Sequence, residues 1–270
     1  MSIKMETGLG KQSAPSPVLA GSAGPYREQP PSKLLCVHFQ CVWSSLIPHG
    51  QVAPVVVMPD GCVDLLWRDD RLLVAGPDVT AAHPNLTPGT TVLGIRFQPG
   101  AARNWLGLPM SEIVGREVNL ADLWGRRAHD FSAMMSEAVT IDQQAALLQA
   151  LLSRVLPTVA PPARDAATVF HLLRHNTGSA DNQIVSLLAR LEVSERTLRR
   201  RCHDHFGYGP KTLDRILRLQ RFLALARTSR HGGLAALAFE SGYADQAHLG
   251  RDIQALCGMT AGTLVRQIAA

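Results

Sequence analysis

The stretch IVSLLARLEVSERTLRRRCHDHFG, residues 184–207, decides the C-terminal fold, and LAALAFESGYADQAHLGRDIQALCG, residues 234–258, repeats its plan. In the first, Ile184, Leu187, Leu188 and Leu191 recur at the three-and-four spacing of a buried helix stripe. Ser194 then sits where an N-cap belongs, and a second helix follows with Leu198 and Cys202 on its inner side. Arg196, Arg199, Arg200 and Arg201 crowd the rest of that cylinder. In the second stretch Leu234, Leu237 and Ala238 lead to a Ser241-Gly242 break, after which Leu249, Ile253 and Leu256 align inward. Gln246, His248 and Arg251 face elsewhere. Helix, tight turn, helix is the arrangement that lays its second helix in a DNA major groove, with side chains near that helix's start reaching base edges.

Working outward, Pro210 to Ala226 reads as a helix between the two units. Its Leu213, Ile216, Leu217, Leu223 and Leu225 are expected to pack against both, with Arg215, Arg218 and Arg221 outside. Ala166 to His175 supplies a further helix with Val169, Leu172 and Leu173 inward. Charge follows the same division. Residues 181–270 hold 13 Lys+Arg against 8 Asp+Glu, whereas residues 1–180 hold 14 against 14, so the positive excess lies wholly in the segment with the two motifs. Arginine outnumbers lysine there twelve to one, and the planar guanidinium fork suits phosphate oxygens and the guanine edge. The arginines of 196–201 would repel one another at helical spacing by a few tenths of a kcal/mol per pair, which a partner anion relieves.

The order of Ser194, Leu198, Arg200, Phe206-Gly207, the 210–226 helix, Gly242-Tyr243, His248-Leu249, Arg251, Ile253 and Cys257-Gly258 resembles the double helix-turn-helix domain of AraC/XylS-type transcription regulators. The resemblance covers roughly the last hundred residues. Three positions depart from the family pattern: Cys202 replaces an aromatic, Gly250 a polar residue, and Ala261 the proline before the final helix. What the resemblance implies is a sequence-specific DNA-binding regulator, not an enzyme, whose DNA-binding residues are Ser194, Glu195, Arg196, Arg199, Arg200, Gln246, His248 and Arg251. Arg196 and Arg199 stand as base or phosphate readers, whereas Arg200 and Arg251 either contact DNA or brace their own subdomain. Gln246 offers the bidentate amide that adenine matches, and His248 reaches phosphate. Double-stranded DNA is the implied partner. A small-molecule effector, RNA polymerase (for an activator) and a second copy of the chain are further candidates; no cofactor and no metal is implied.

The N-terminal part reads differently. Residues 1–25 are rich in Gly, Ser, Ala and Pro without hydrophobic periodicity and are expected to be a disordered tail. Leu34 to Trp43 turns to period two, with Val37, Phe39, Cys41 and Trp43 on one face and His38 and Gln40 on the other. Short strands follow at Val52 to Met58, Cys62 to Trp67, Arg71 to Ala75 and Thr91 to Gln98, separated by Pro/Gly turns. Such spacing argues for a small barrel or sandwich. Helices come next at Ala101 to Leu106, Ala121 to Trp124 and Ile141 to Leu156, the last opening with Thr140 and Gln143 at capping-box spacing. The segments YREQPP, VMPDGCVDLLW, VAGPD and GIRFQPGAARNWLG resemble the cupin-like N-terminal domain of uncharacterised role that precedes this DNA-binding module in some family members. That implies a sensory or dimerising unit.

The expected architecture is two-domain α+β: a tail to 25, a small β-barrel or cupin-like domain with flanking helices over 26–156, a proline-rich linker over 157–164, and an all-α domain of two helix-turn-helix units joined by a helix over 165–270. Five cysteines, odd in number, do not make a secreted disulfide framework. With no signal-like start and no window near eighteen apolar residues, the chain is expected in the cytoplasm, at the nucleoid. A competing reading places chemistry in the N-terminal domain. Asp60, Cys62, Asp64 and His83 would then form a metal or hydrolytic centre, or Cys62 a thiol sensor on a DNA-tethered enzyme.

Overall fold

The computed structural model describes residues 17–51, 53–175, 180–228 and 232–269. Residues 1–16 of the expected tail, and Val52, where the second strand is expected to begin, lie outside the described residues. Among these residues the strands are β1 Val18–Leu19, β2 Tyr26–Gln29, β3 Phe39–Leu46, β4 Val55–Val56, β5 Asp64–Arg68, β6 Arg71–Ala75, β7 Thr91–Phe97 and β8 Glu117–Asn119. Six of them form one antiparallel sheet in the order β2-β3-β7-β5-β6-β8, and β1 pairs with β4 in parallel. Four helices follow the strands: α1 Ala102–Leu106, α2 Leu120–Trp124, α3 Arg126–Ser136 and α4 Ile141–Val155. The expected capping box is present, Thr140 accepting from the Gln143 backbone N–H while the Gln143 side chain accepts from the Thr140 N–H.

Period-two alternation gives the sheet two faces. Val42, Leu65, Trp67, Val74, Leu93 and Ile95 point into one core with Trp105, Leu120, Phe131, Leu148 and Leu152 from the four helices. Phe39 anchors this core, its ring 4.8 Å from Phe97 and 4.9 Å from Trp105 between centroids. The opposite face carries Trp43, Asp64, Leu66 and Arg96 and looks onto a cavity.

Two sequence expectations need correction here. The strand expected from Leu34 starts only at Phe39, because Ser32 to Phe39 winds into turns in which Leu35 N–H reaches Ser32 O and Phe39 N–H reaches Leu35 O. Leu35 and Phe39, four apart, are thereby buried together, while Val37 is 58% exposed and His38 is buried, its Nδ1 accepting from the Trp105 indole at 3.0 Å. A bulge between Phe39 and Cys41 then resets the register. The second correction concerns residues 17–25. They are placed rather than loose, since β1 pairs with β4, Leu19 is 6% exposed, and the Gln267 side chain donates to Pro17 O at 2.7 Å.

The C-terminal part is all helical: α5 Arg164–His175, α6 Ala180–Leu191, α7 Glu195–Phe206, α8 Pro210–Ala226, α9 Leu234–Glu240, α10 Gln246–Cys257 and α11 Ala261–Ala269. Its core joins Ile184, Leu187, Leu198 and Cys202 of the first unit to Leu237, Leu249, Ile253 and Leu256 of the second through Leu213, Ile216, Leu217 and Phe222 of α8. Proline is not needed to start α11, because Thr260 Oγ1 accepts from the Thr263 N–H and caps it. No helix among the described residues is long and apolar enough to cross a membrane.

Two arginines of α8, Arg218 and Arg221, are the third correction. Arg218 is 3% exposed and ion-paired to Asp214, with its guanidinium 5.3 Å from the Tyr243 ring centroid. Arg221 donates to the carbonyls of Leu173, Arg174 and Ser241 at 2.7, 3.0 and 3.2 Å, closing the ends of α5 and α9. Arg215 holds Asp252 of α10 at 3.0 and 3.1 Å. A helix packed on several sides by others has little outer face left, so Arg218 and Arg221 pair or cap, while Arg215 and Lys211 keep contact with water.

Candidate nucleic-acid interface and cavity

Helix α7 begins at Ser194, whose side chain accepts from the Thr197 N–H at 3.3 Å. Leu198, Cys202 and Phe206 take its buried side, which turns Arg196, Arg199 and Arg200 outward with Ser194 and Glu195. All five are exposed. Arg201 is the brace of this helix, reaching Asp165 of α5 at 2.7 Å. Among the described residues Arg196, Arg199, Arg200 and Arg251 meet no carboxylate, so the bracing weighed for Arg200 and Arg251 falls to Arg201 and Arg215. Three guanidiniums without a carboxylate partner among the described residues give this exposed helix start a cationic surface suited to an anion.

Helix α10 is capped by Asp245, which accepts from the His248 N–H at 2.6 Å, a cap the sequence reading passed over although Asp at that position signals one. Gln246 and Arg251 are exposed. His248 is partly buried, its ring edge-on to Tyr243 at 5.3 Å and its Nε2 3.9 Å from Asp252, a geometry that orients the imidazole from behind. Gly250 faces open space, with nothing within 4 Å of where a Cβ would stand. The first helix start is thus the more cationic of the two.

The residues weighed for chemistry come together in another way. Arg96 takes Asp60 at 3.1 Å and Asp64 at 3.0 Å, and Asp64 also accepts from the Trp43 indole at 3.2 Å. Asp60 Oδ1 accepts from the Cys62 N–H at 2.9 Å, as a turn aspartate does. Burial first, then the charge of Asp60, push the Cys62 thiol well above its ordinary range, which leaves it protonated and weakly nucleophilic. His83 stands apart on the cavity wall. Among the described residues no three His, Cys, Asp or Glu side chains converge as a metal would require.

That cavity, of about 560 Å³, lies between the outer sheet face and the segment 76–86. Local sequence pattern does not reveal it, because its walls come from seven strands and their connections, which only the fold assembles. One wall has a second neighbour. Val79 and Ala81 pack on the helical core, and the Ala81 N–H donates to Leu256 O near the end of α10 at 2.7 Å. Residues 113–116 back this segment, Gly115 N–H donating to Pro77 O at 3.1 Å. Gly207, which ends α7 at φ +85°, seats there so closely that a Cβ would fall 2.4 Å from Val114 Cγ2 and 3.0 Å from Pro77 Cγ. The C-terminal ends of both second helices therefore rest on one segment, residues 76–82, whose other side lines the cavity.

Residues 187–267 match a family described as a helix-turn-helix domain, and residues 27–119 match a domain of unknown function (DUF6597). No curated protein matches the chain. Among solved structures the chain is similar to ToxT from Vibrio cholerae, at 11% identity over 79% of this chain and 93% of that one, with a TM-score of 0.45. An apo form of a ToxT variant from the same organism aligns at 10% identity over 84% and 97%, TM-score 0.46. Wild-type ToxT bound to an unsaturated fatty acid aligns at 11% over 78% and 86%, TM-score 0.43.

Proposed function

We propose that this chain, whose residues 187–267 match a helix-turn-helix domain, is a DNA-binding transcription regulator of AraC type in which α7 and α10 read successive major grooves of one operator under the control of a small effector in the N-terminal cavity. The observation that carries the reading is the exposed start of α7, where Arg196, Arg199 and Arg200 stand without carboxylate partners among the described residues. Side chains near the start of a second helix are the ones that reach base edges. Ser194 and Glu195 at the same helix start, and Gln246, His248 and Arg251 on α10, complete the proposed interface. Helix α8, clamped to both units by Arg221 and by the Arg215–Asp252 pair, supports a fixed separation between the two reading helices.

Control enters through residues 76–82. An effector in the cavity presses on a segment that seats the ends of α7 and α10, so a shift there changes how the two helices are presented. A second copy of the chain, RNA polymerase and a place at the nucleoid belong to the same reading as partners of a cytoplasmic regulator. Arg199→Ala is the test at the DNA. It is expected to cost about 1–3 kcal/mol and relax preference at one or two base pairs. Selection from a randomised operator library measures it, and an unchanged profile removes Arg199 from base reading.

A further inference from the structure

The cavity's walls carry more information than its volume, and the inference drawn from them rests on the effector-controlled reading above. Its two inner arginines are already claimed. Arg96 lies between Asp60 and Asp64, and Glu117 grips Arg68 with two bonds of 2.6 and 3.0 Å while Asp69 stands 3.4 Å away. Each guanidinium thus faces two carboxylates. Among the charged side chains that line the cavity, Arg68, Arg96 and Arg116 stand against Asp64, Glu117 and Asp78. Asp78 has no ion pair or hydrogen bond among the described residues, and it sits on the very segment that seats α7 and α10. The rest of the lining is apolar or aromatic: Ile47, Val57, Leu66 and Val92, with Tyr26 and Trp43 whose rings lie 6.1 Å apart.

We propose that this cavity takes a small organic cation, an amine or guanidine on an apolar body, with Asp78 as its counter-ion and Tyr26 and Trp43 against its body. An anion would find both inner arginines occupied and, among the described residues, only the solvent-exposed Arg116 without a carboxylate, and it would leave Asp78 unmatched. A cation finds the single carboxylate the fold leaves open, beside aromatic faces that attract positive charge. A cavity of about this size encloses a metabolite of roughly ten to twenty heavy atoms. Burial, and then the charge of Asp60, already push the Asp78 carboxyl up to about 6, the mark of a carboxylate that lacks its cation.

Calorimetric titration and thermal shift of the full chain with 2-phenylethylamine, agmatine and 3-phenylpropionate test this. The first and last share an aromatic body and differ in the sign of the charge. At least one amine is expected to bind and raise the Tm, while the carboxylate does neither. In Asp78→Asn the amine affinity should fall at least tenfold, and Asp78→Glu should recover part of it. Equal or tighter binding of 3-phenylpropionate overturns the proposal, as does amine binding undiminished in Asp78→Asn, or no heat from either amine. A mobility shift on operator DNA separates the two levels. Amines that bind yet leave DNA affinity unchanged uphold the ligand class and overturn effector control, whereas control by some other molecule with amines inert does the reverse.

Discussion

Asp78 shows how one residue carries opposing demands. Its carboxyl titrates near 6 in the fold against an ordinary 3.8, so the ionised form is disfavoured by folding. The resulting loss of stability is complete above pH 6 and absent below about 3.8. Asp78→Asn should therefore stabilise the ligand-free protein at pH 7.5 by about 1 kcal/mol after allowance for solvent screening, roughly 2–4 °C in Tm. The gain should fade as pH falls through 6 towards 4. Thermal melts across that range check it, and a gain independent of pH would show that burial of this carboxyl is not the cause. The exposed face of α7 was legible in the sequence because inward Leu198 and Cys202 leave only one side for Arg196, Arg199 and Arg200. Arg201 was less so: a difference of one position, 100° around the helix, sends it to Asp165. Asp78 was not legible at all, since its isolation depends on the partners Arg68 and Arg96 find elsewhere.

At the scale of elements, α10 carries a weakness. Gly250 lies inside this helix and a methyl there would meet nothing within 4 Å. Gly250→Ala should then stabilise the protein by about 0.5–1 kcal/mol through helix propensity alone. A lower Tm in that variant would mean that the site is more crowded than its geometry indicates. Helices proved the more readable class. The stripes of α4, α6, α7, α8 and α10 all turn inward as the three-and-four spacing predicts, and the Thr140 and Ser194 caps stand where short polar residues precede an apolar run. Strands were less readable. Turn-wound residues 32–39 imitate alternation, β2 is exposed along its whole length, and β8 is three residues long, so neither of the last two has a burial pattern to detect. Helix α3 escaped because its Arg-rich, partly exposed sequence shows only Ala128, Phe131 and Met135 inward.

The whole molecule makes a different kind of prediction, because two reading helices on one chain need not share symmetry. The operator is expected to span two successive major-groove turns centred about 10 base pairs apart, without a palindrome. With about three phosphate contacts, from Arg196, Arg200 and Arg251, affinity should fall roughly forty-fold between 50 and 200 mM salt. Fluorescence anisotropy on a labelled duplex reads that slope, and binding indifferent to salt would be incompatible with an arginine-lined interface. The two parts are also less separate than a linker of prolines suggests. Leu19 and Val56 lie in the same apolar cluster as the helical core, Gln220 donates to Pro59 O at 2.8 Å, and the Tyr208 hydroxyl packs beside Gly61. Contacts of this kind join the two parts at points other than residues 157–164.

Sequence alone determined that the last third of this chain folds into two helix-turn-helix units with an arginine-rich outer face, because helical periodicity and capping are local and repeat within a few residues. It determined equally that the first half is rich in short strands. Only the tertiary structure decided which arginines stay without a carboxylate partner, that α8 holds Arg218 inside, and that a cavity adjoins the segment bearing the ends of α7 and α10. Those outcomes depend on pairings between residues dozens of positions apart, such as Asp64 with Arg96 or Arg215 with Asp252. Local pattern does not encode such pairings, because the electrostatic partner of a buried charge is set by which elements pack together.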